Sequence, residues 1–213
     1  MARRKVGLDP VFIEWPVARV FFRIHSVRYK ATQFRPGESG DARFSPIYAR
    51  TRKPIPTLYG GETTVCALME TVFHEVPAPP GDYILDLGDL QGLAHSVLKP
   101  ERPLKLVDLT KKGLQRLGLK KTDLIETGPE AYAFTRHWAE QLHAATDAEG
   151  LCWMSRQDDE AHALLLFGDR VKARTLTTVE PSEALVESRL RDLIVDIAGR
   201  IGIKKIVRPQ SEG

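Results

Sequence analysis

Four side chains in this sequence are of types that do chemistry and stand where a chain usually turns or ends an element. They are Arg43 in GDARFSP, Tyr59 in LYGGE, Glu70 in ALME and Ser155 in GLCWMS. A guanidinium in a glycine-containing loop presents a planar fork that can take a phosphate in bidentate fashion. A tyrosine followed by Gly60 and Gly61 ends a strand where another backbone or a flat ligand can approach closely. Glu70 stands one helical turn from both Cys66 and His74, off the centre of an apolar stripe. Ser155 closes a strand beside the acidic corner RQDDE. Each also has a plainer reading: a solvated loop arginine, a half-buried core tyrosine, a solvated helix glutamate, a serine that begins a turn. Spacing alone assigns no reaction to them.

The elements that must position these residues follow from hydrophobic period. VFFRIH around Val20 to Ile24 is strand-like, and Phe34 to Pro46, rich in Pro, Gly and charge, is a loop. After Gly60-Gly61, residues Val65, Leu68, Met69, Val72, Phe73 and Val76 draw one helical stripe, which Pro77 ends. DYILDL and LKLVDL read as buried strands separated by GDLQGLAHSVLKPERP. A second helix starts at a capping box of Thr127 and Glu130, with Pro129 in its first turn, and carries the stripe Ala131, Phe134, Trp138, Leu142 and Ala145. GLCWMS and ALLLFG are strands. A third helix is expected from Glu183 to Gly199 on Val186, Leu190, Leu193, Ile194 and Ile197, followed by the strand-like KKIVR. Strict β-α-β alternation is missing, which favours a mixed α+β domain over a doubly wound sheet.

Composition narrows the function classes. With 213 residues, 42% hydrophobic, the chain is expected to form one domain over 1–213, its motif-bearing core at about 19–170 and its last helix and strand, 183–208, in the same unit. A net charge of +3 is not that of a dedicated nucleic-acid binder. No stretch approaches the roughly 18 apolar residues of a membrane span, and MARRKVGLDP lacks a signal-peptide apolar region, so a soluble, cytoplasmic protein is expected. Two cysteines, Cys66 and Cys152, supply neither a disulfide framework nor a zinc pattern. His137 and His143 lie six apart, not at the four-residue spacing of a two-histidine metal face, and no metal is expected. There is no GxxxxGK P-loop and no GxGxxG dinucleotide fingerprint.

Read in order, these pieces resemble the RES-domain family, the toxin half of RES–Xre toxin–antitoxin pairs. The pieces are Arg23 in VFFRIH, Arg43 and Phe44 in GDARFSP, Tyr59 in LYGGE, Ala67 and Glu70 in ALME, Ser155 in GLCWMSRQ, and the following ALLLF. Asp41-Ala42 stands where the family prefers two glycines, Ser45 where it often has asparagine, and ARTRKPIP lengthens the connection to Tyr59.

The resemblance implies a split, curved sheet similar to the diphtheria-toxin type of ADP-ribosyltransferase, binding NAD without a Rossmann motif. It implies an enzyme that cleaves the nicotinamide–ribose bond of NAD, its substrate, with inorganic phosphate as acceptor (a phosphorylase) or water (a glycohydrolase). Nicotinamide is a cationic leaving group, so the demand is to stabilise an oxocarbenium-like ribose, a task for a carboxylate. On that reading Glu70 faces the ribose, Arg43 grips pyrophosphate or acceptor phosphate, Tyr59 stacks on the nicotinamide ring, Ser155 donates to ribose or carboxamide, and Arg23 is a further phosphate ligand. A protein mono-ADP-ribosyltransferase using the same cleft is the alternative within enzymes. A non-enzymatic nucleic-acid or regulatory module, suggested by ARRK and KKIVRP, is the alternative outside them. The expected partner is an Xre-type antitoxin, with neither membrane nor nucleic acid, and the oligomeric state stays open.

Overall fold

A computed structural model describes residues 8–186 and 188–207. ARRK, Arg208 and Pro209 lie outside the described residues. In chain order the strands are β1 (Phe12–Trp15), β2 (Phe21–Ser26), β3 (Ile47–Tyr48), β4 (Pro54–Ile55), β5 (Thr57–Gly61), β6 (Ile84–Asp86), β7 (Leu93–Pro100), β8 (Leu104–Asp108), β9 (Gly150–Met154), β10 (His162–Phe167), β11 (Leu176–Thr178), β12 (Glu183–Ala184) and β13 (Lys205–Val207). The α-helices are α1 (Thr64–Met69), α2 (Lys111–Arg116), α3 (Lys121–Leu124), α4 (Tyr132–Ala145) and α5 (Ser188–Arg200).

Nine strands form one mixed sheet in the order β1-β8-β9-β10-β5-β2-β7-β11, with β12 also on β7. The small pairs β13-β6 and β3-β4 stand apart from it. The molecule is therefore a mixed α+β structure, its large sheet flanked by a few helices. Within that sheet only β8 and β9 run parallel among the described residues. A parallel pair needs a long crossover, and here the crossover carries α2, α3 and α4 across one face. None of the described helices is long and apolar enough to cross a membrane.

Period-two alternation sorts the central strands onto two cores. Leu151 and Trp153 of β9, with Ala163, Leu165 and Phe167 of β10, join Phe44, Leu114, Leu124, Ile125 and Leu142 under the crossover helices. Cys152, Leu164 and Leu166 point the other way, to Trp15, Phe21, Leu58 and Leu98. A third cluster packs α1 and the turn after it against α5 through Leu68, Phe73, Leu190 and Ile194. Between β2 and β5 the sheet narrows to one residue pair, Phe22 opposite Gly61. The start of α1 fills that junction: a Cβ on Gly61 would sit 2.7 Å from the Ala67 nitrogen and 3.0 Å from Cys66 Sγ. The glycine at this position thus admits close approach of another backbone.

Three elements depart from the sequence reading. The helix after Gly61 stops at Met69 instead of running to Val76, and the N–H groups of both Val72 and Phe73 turn back to the Leu68 carbonyl. The β-branched pair Thr71-Val72 followed by Phe73 is poor helix material, and the turn drops Phe73 into the third core. The stretch read as a separator contains β7, an eight-residue strand pairing with β2, β11 and β12. Its pattern was hidden by two polar residues that are buried and bonded. His95 Nε2 lies 3.2 Å from Thr64 Oγ1, and Ser96 Oγ lies 2.8 Å from His25 Nε2. Finally, Glu183 and Ala184 pair with β7, so the last helix begins at Ser188, not Glu183.

At the end of β5, Glu62 ties three segments together. Its carboxylate pairs with Arg19, accepts the His162 backbone N–H at 3.0 Å and meets His162 Nδ1 at 2.7 Å. Burial alone would raise this carboxyl, but the bonds from His162 and Arg19 outweigh it and bring Glu62 down from 4.5 to about 2. A depressed folded-state value stabilises the fold above pH 4.5, and the contribution is lost as pH falls through about 2. Glu62→Gln is therefore expected to lower stability near neutrality by roughly 1–3 kcal/mol. The gap from wild type should begin to narrow below pH 4.5 and close as pH falls through about 2, and melting curves of both proteins across pH 2–7 check this.

Candidate active site

The loop holding Arg43 is a tight turn in which the Ala42 N–H donates to the Ser45 carbonyl at 2.9 Å and the Ser45 N–H returns to Ala42 at 3.3 Å. Phe44, wholly buried, anchors the turn in the core edge-on to Trp153 at 5.0 Å. That anchoring turns Arg43 towards the helical side, where its guanidinium lies 5.6 Å from the Tyr132 ring centroid. Its Nη1 donates to Thr127 Oγ1 at 2.7 Å and to the Leu124 carbonyl at 3.3 Å. The carbonyl of Arg43 itself accepts from the Thr135 hydroxyl. Burial lowers the Arg43 pKa, the Arg156 charge adds to the lowering, and Tyr132, Glu70 and Tyr59 oppose it.

Tyr59 leaves β5 on the same face. Its hydroxyl accepts the Phe44 N–H at 3.1 Å, and its ring stands edge-on to Trp153 at 6.3 Å. The residue is half-buried, and burial pushes the phenol up to about 12. Its hydroxyl thus joins β5 to the Arg43 turn and stays protonated.

Glu70 caps the C-terminus of α1, so the early end of that helix is what delivers it to this region. Its Oε1 is buried with no hydrogen-bond partner. Its negative charge opposes ionisation of Tyr59, Cys66 and Asp158 and supports the charge on Arg43, which puts the carboxylate among those four groups. Trp153 Nε1, at the floor between Phe44 and Tyr59, is likewise buried without a partner. Buried polar atoms are nearly always satisfied, so a carboxylate oxygen and an indole N–H left open in one region mark a place built for something else.

Ser155 is buried and its hydroxyl is taken up by its own loop. It is 0% exposed, and its Oγ accepts the N–H groups of Gln157 at 3.2 Å and Asp158 at 3.0 Å. It shapes the loop that follows β9, and that loop brings in residues that the sequence reading passed over. Arg156 Nη1 donates to the Thr127 carbonyl, and Gln157 Nε2 donates to the His74 carbonyl at 2.7 Å, binding the loop to the segment that follows α1. Asp158 is raised by burial and by the charges of Glu160 and Glu70. The adjacent Cys66 thiol is pushed by burial up to about 12, Glu70 and Asp158 adding to the rise, and is inert as a nucleophile.

Arg23 does not join this cluster. On β2 it faces the same side as Phe21 and Ser96, the opposite face of the sheet from Tyr59. It is 8% exposed, and its guanidinium donates to the carbonyls of Ala31 and, at 2.9 Å, Gln33. Burial lowers it to about 10. Its place is that of a clasp for the 31–33 loop.

The capping box expected before α4 is also diverted. Glu130 Oε1 does accept the Gly128 N–H at 3.1 Å, but the Thr127 hydroxyl serves Arg43 instead of the helix. The helix turns Tyr132, Thr135, Ala139, Leu142 and His143 inward, leaving Phe134 47% exposed. The polar members of that face have partners: Thr135 holds the Arg43 carbonyl, and His143 Nε2 meets Asp169 at 2.9 Å.

An arginine turn, a tyrosine ring and an open carboxylate in one region suit a ligand with anionic groups and a developing positive centre. Compared with known protein families, residues 20–186 match the RES domain. No curated protein matches the chain.

Proposed function

The chain belongs to the RES-domain family, and from that premise we propose that it consumes NAD by breaking the bond between nicotinamide and ribose. Membership in the family suggests a toxin–antitoxin-type, NAD-related module. The observation that carries the finer reading is Glu70: a buried carboxylate oxygen without a partner, in one region with Arg43, Tyr59 and Asp158.

In the proposed reaction the C1–N bond of the nicotinamide riboside breaks and its electron pair returns to the pyridine nitrogen, so nicotinamide leaves neutral without needing a proton. The ribose carbon gains positive charge, which Glu70 stabilises in a partly dehydrated cleft. An oxygen of inorganic phosphate then forms the new bond, giving ADP-ribose 1″-phosphate; water in its place gives ADP-ribose and a proton. Arg43 holds phosphate oxygens, and Tyr59 offers a ring beside the leaving group. Ser155 is a positioning residue, acting through the loop of Arg156 and Asp158. An inhibitory partner of the Xre antitoxin type would act by covering this cleft.

NAD labelled in its adenylate half decides the acceptor class. The proposal predicts label only in small molecules, with the protein band unlabelled. Label retained on a protein would instead give the same cleft to protein ADP-ribosylation.

A further inference from the structure

Two arginines from different loops reach the same residue. Arg43 Nη1 donates to Thr127 Oγ1 at 2.7 Å, and Arg156 Nη1 donates to the Thr127 carbonyl. Two guanidiniums this close repel, and the charge of Arg156 is felt at Arg43. Among the described residues neither is in an ion pair, and the oxygens they hold, on Thr127 and Leu124, are neutral. Arg19 and Arg136, by contrast, are paired with Glu62 and Asp41, and Arg156 is exposed, with its guanidinium open to a ligand from solvent. Thr127 stands one residue before Gly128, the N-cap of the helical turn Pro129–Ala131, and its hydroxyl accepts from Arg43 instead of capping that turn.

Like charges drawn onto one neutral residue are best relieved by an anion that bridges them, and a planar guanidinium fork takes phosphate oxygens in pairs. We infer that Arg156 is the second arm of an anion clamp with Arg43, that its ligand is the pyrophosphate of a dinucleotide, and that Thr127 is an internal stand-in whose two oxygens the ligand displaces. Naming the dinucleotide rests on the NAD reading; the clamp does not. Arg156 is thereby a binding residue for the diphosphate, separate from the carboxylate that faces the ribose.

The test is calorimetric titration of the purified chain with inorganic pyrophosphate, and in parallel with ADP, at two salt concentrations. Wild type is expected to bind both, more weakly at the higher salt. Arg156→Gln should weaken binding by about tenfold or more, as expected for loss of a charge-assisted pair. Arg156→Lys, which keeps the charge without the fork, should fall between, and serves if Arg156→Gln does not fold. Thr127→Val should bind tighter by a few-fold, because it removes a competitor for Arg43, a direction that a merely structural role would not give. Arg28→Gln, an exposed arginine elsewhere, should match wild type. The inference is overturned if wild type binds neither anion, if Arg156→Gln and Arg156→Lys bind like wild type, or if Thr127→Val binds more weakly. Binding that depends on Arg156 in a protein that leaves NAD intact would keep the clamp and remove the NAD reading.

Discussion

Glu70→Gln is expected to slow nicotinamide release by about 10²–10³-fold, the range found when one group that stabilises transition-state charge is removed. The substitution keeps the shape of the side chain and removes only its charge, so the loss should fall on kcat more than on KM. Stability is expected to move the other way or not at all. An oxygen buried without a partner costs the fold on the order of 1–3 kcal/mol, and a neutral amide relieves part of that. An unchanged or higher melting temperature together with lost turnover would mark a residue held at the expense of stability for its chemistry. A lower melting temperature with full turnover would make Glu70 a packing residue.

Arg43→Lys should cost about 30–100-fold in kcat/KM, equivalent to roughly 2–3 kcal/mol for a charge-assisted contact. Arg43 spends one nitrogen, Nη1, on Thr127 Oγ1 and the Leu124 carbonyl and keeps its other N–H groups for a ligand, whereas lysine has a single donor nitrogen and no planar guanidinium to lie over Tyr132. Because the turn itself is held by Phe44, by the Tyr59 hydroxyl and by Thr135, the fold should persist. The loss should therefore appear at saturating protein stability, with circular dichroism unchanged. Wild-type kinetics in Arg43→Lys would remove the arginine from the site.

The sequence made the central strands legible wherever apolar alternation was uninterrupted, as in VFFRIH, GLCWM and ALLLF. It also marked the loop that bears Arg43, but it placed Tyr59 at a strand end, whereas β5 continues through Gly60 and Gly61 and Tyr59 is its central residue, opposite Leu165. It concealed β7, because a buried His95 or Ser96 looks like a loop residue until its partner on another strand is known. It overextended α1, since the stripe through Val76 continues in sequence while the backbone turns at Glu70 to bury Phe73. Thr127 shows the same limit in the site: a threonine three residues before a glutamate reads as a cap, and only the distant Arg43 redirects its hydroxyl.

Arg156 had a signal, one position after Ser155, but a charged residue in RQDDE reads as surface until a second arginine is seen on the same threonine. Arg23 shows the converse error. Strand alternation puts it on the face away from Tyr59, a consequence of register that needs the partner strands to be known.

The most direct measurement is product analysis of NAD incubated with the purified chain, with and without inorganic phosphate, beside the Glu70→Gln variant. The expected result is one nicotinamide released for each NAD consumed, with ADP-ribose 1″-phosphate formed in phosphate or ADP-ribose in its absence, and either formed about 10²–10³-fold more slowly by Glu70→Gln. NAD recovered intact from a folded wild-type protein, or the same products from Glu70→Gln at the wild-type rate, would contradict it.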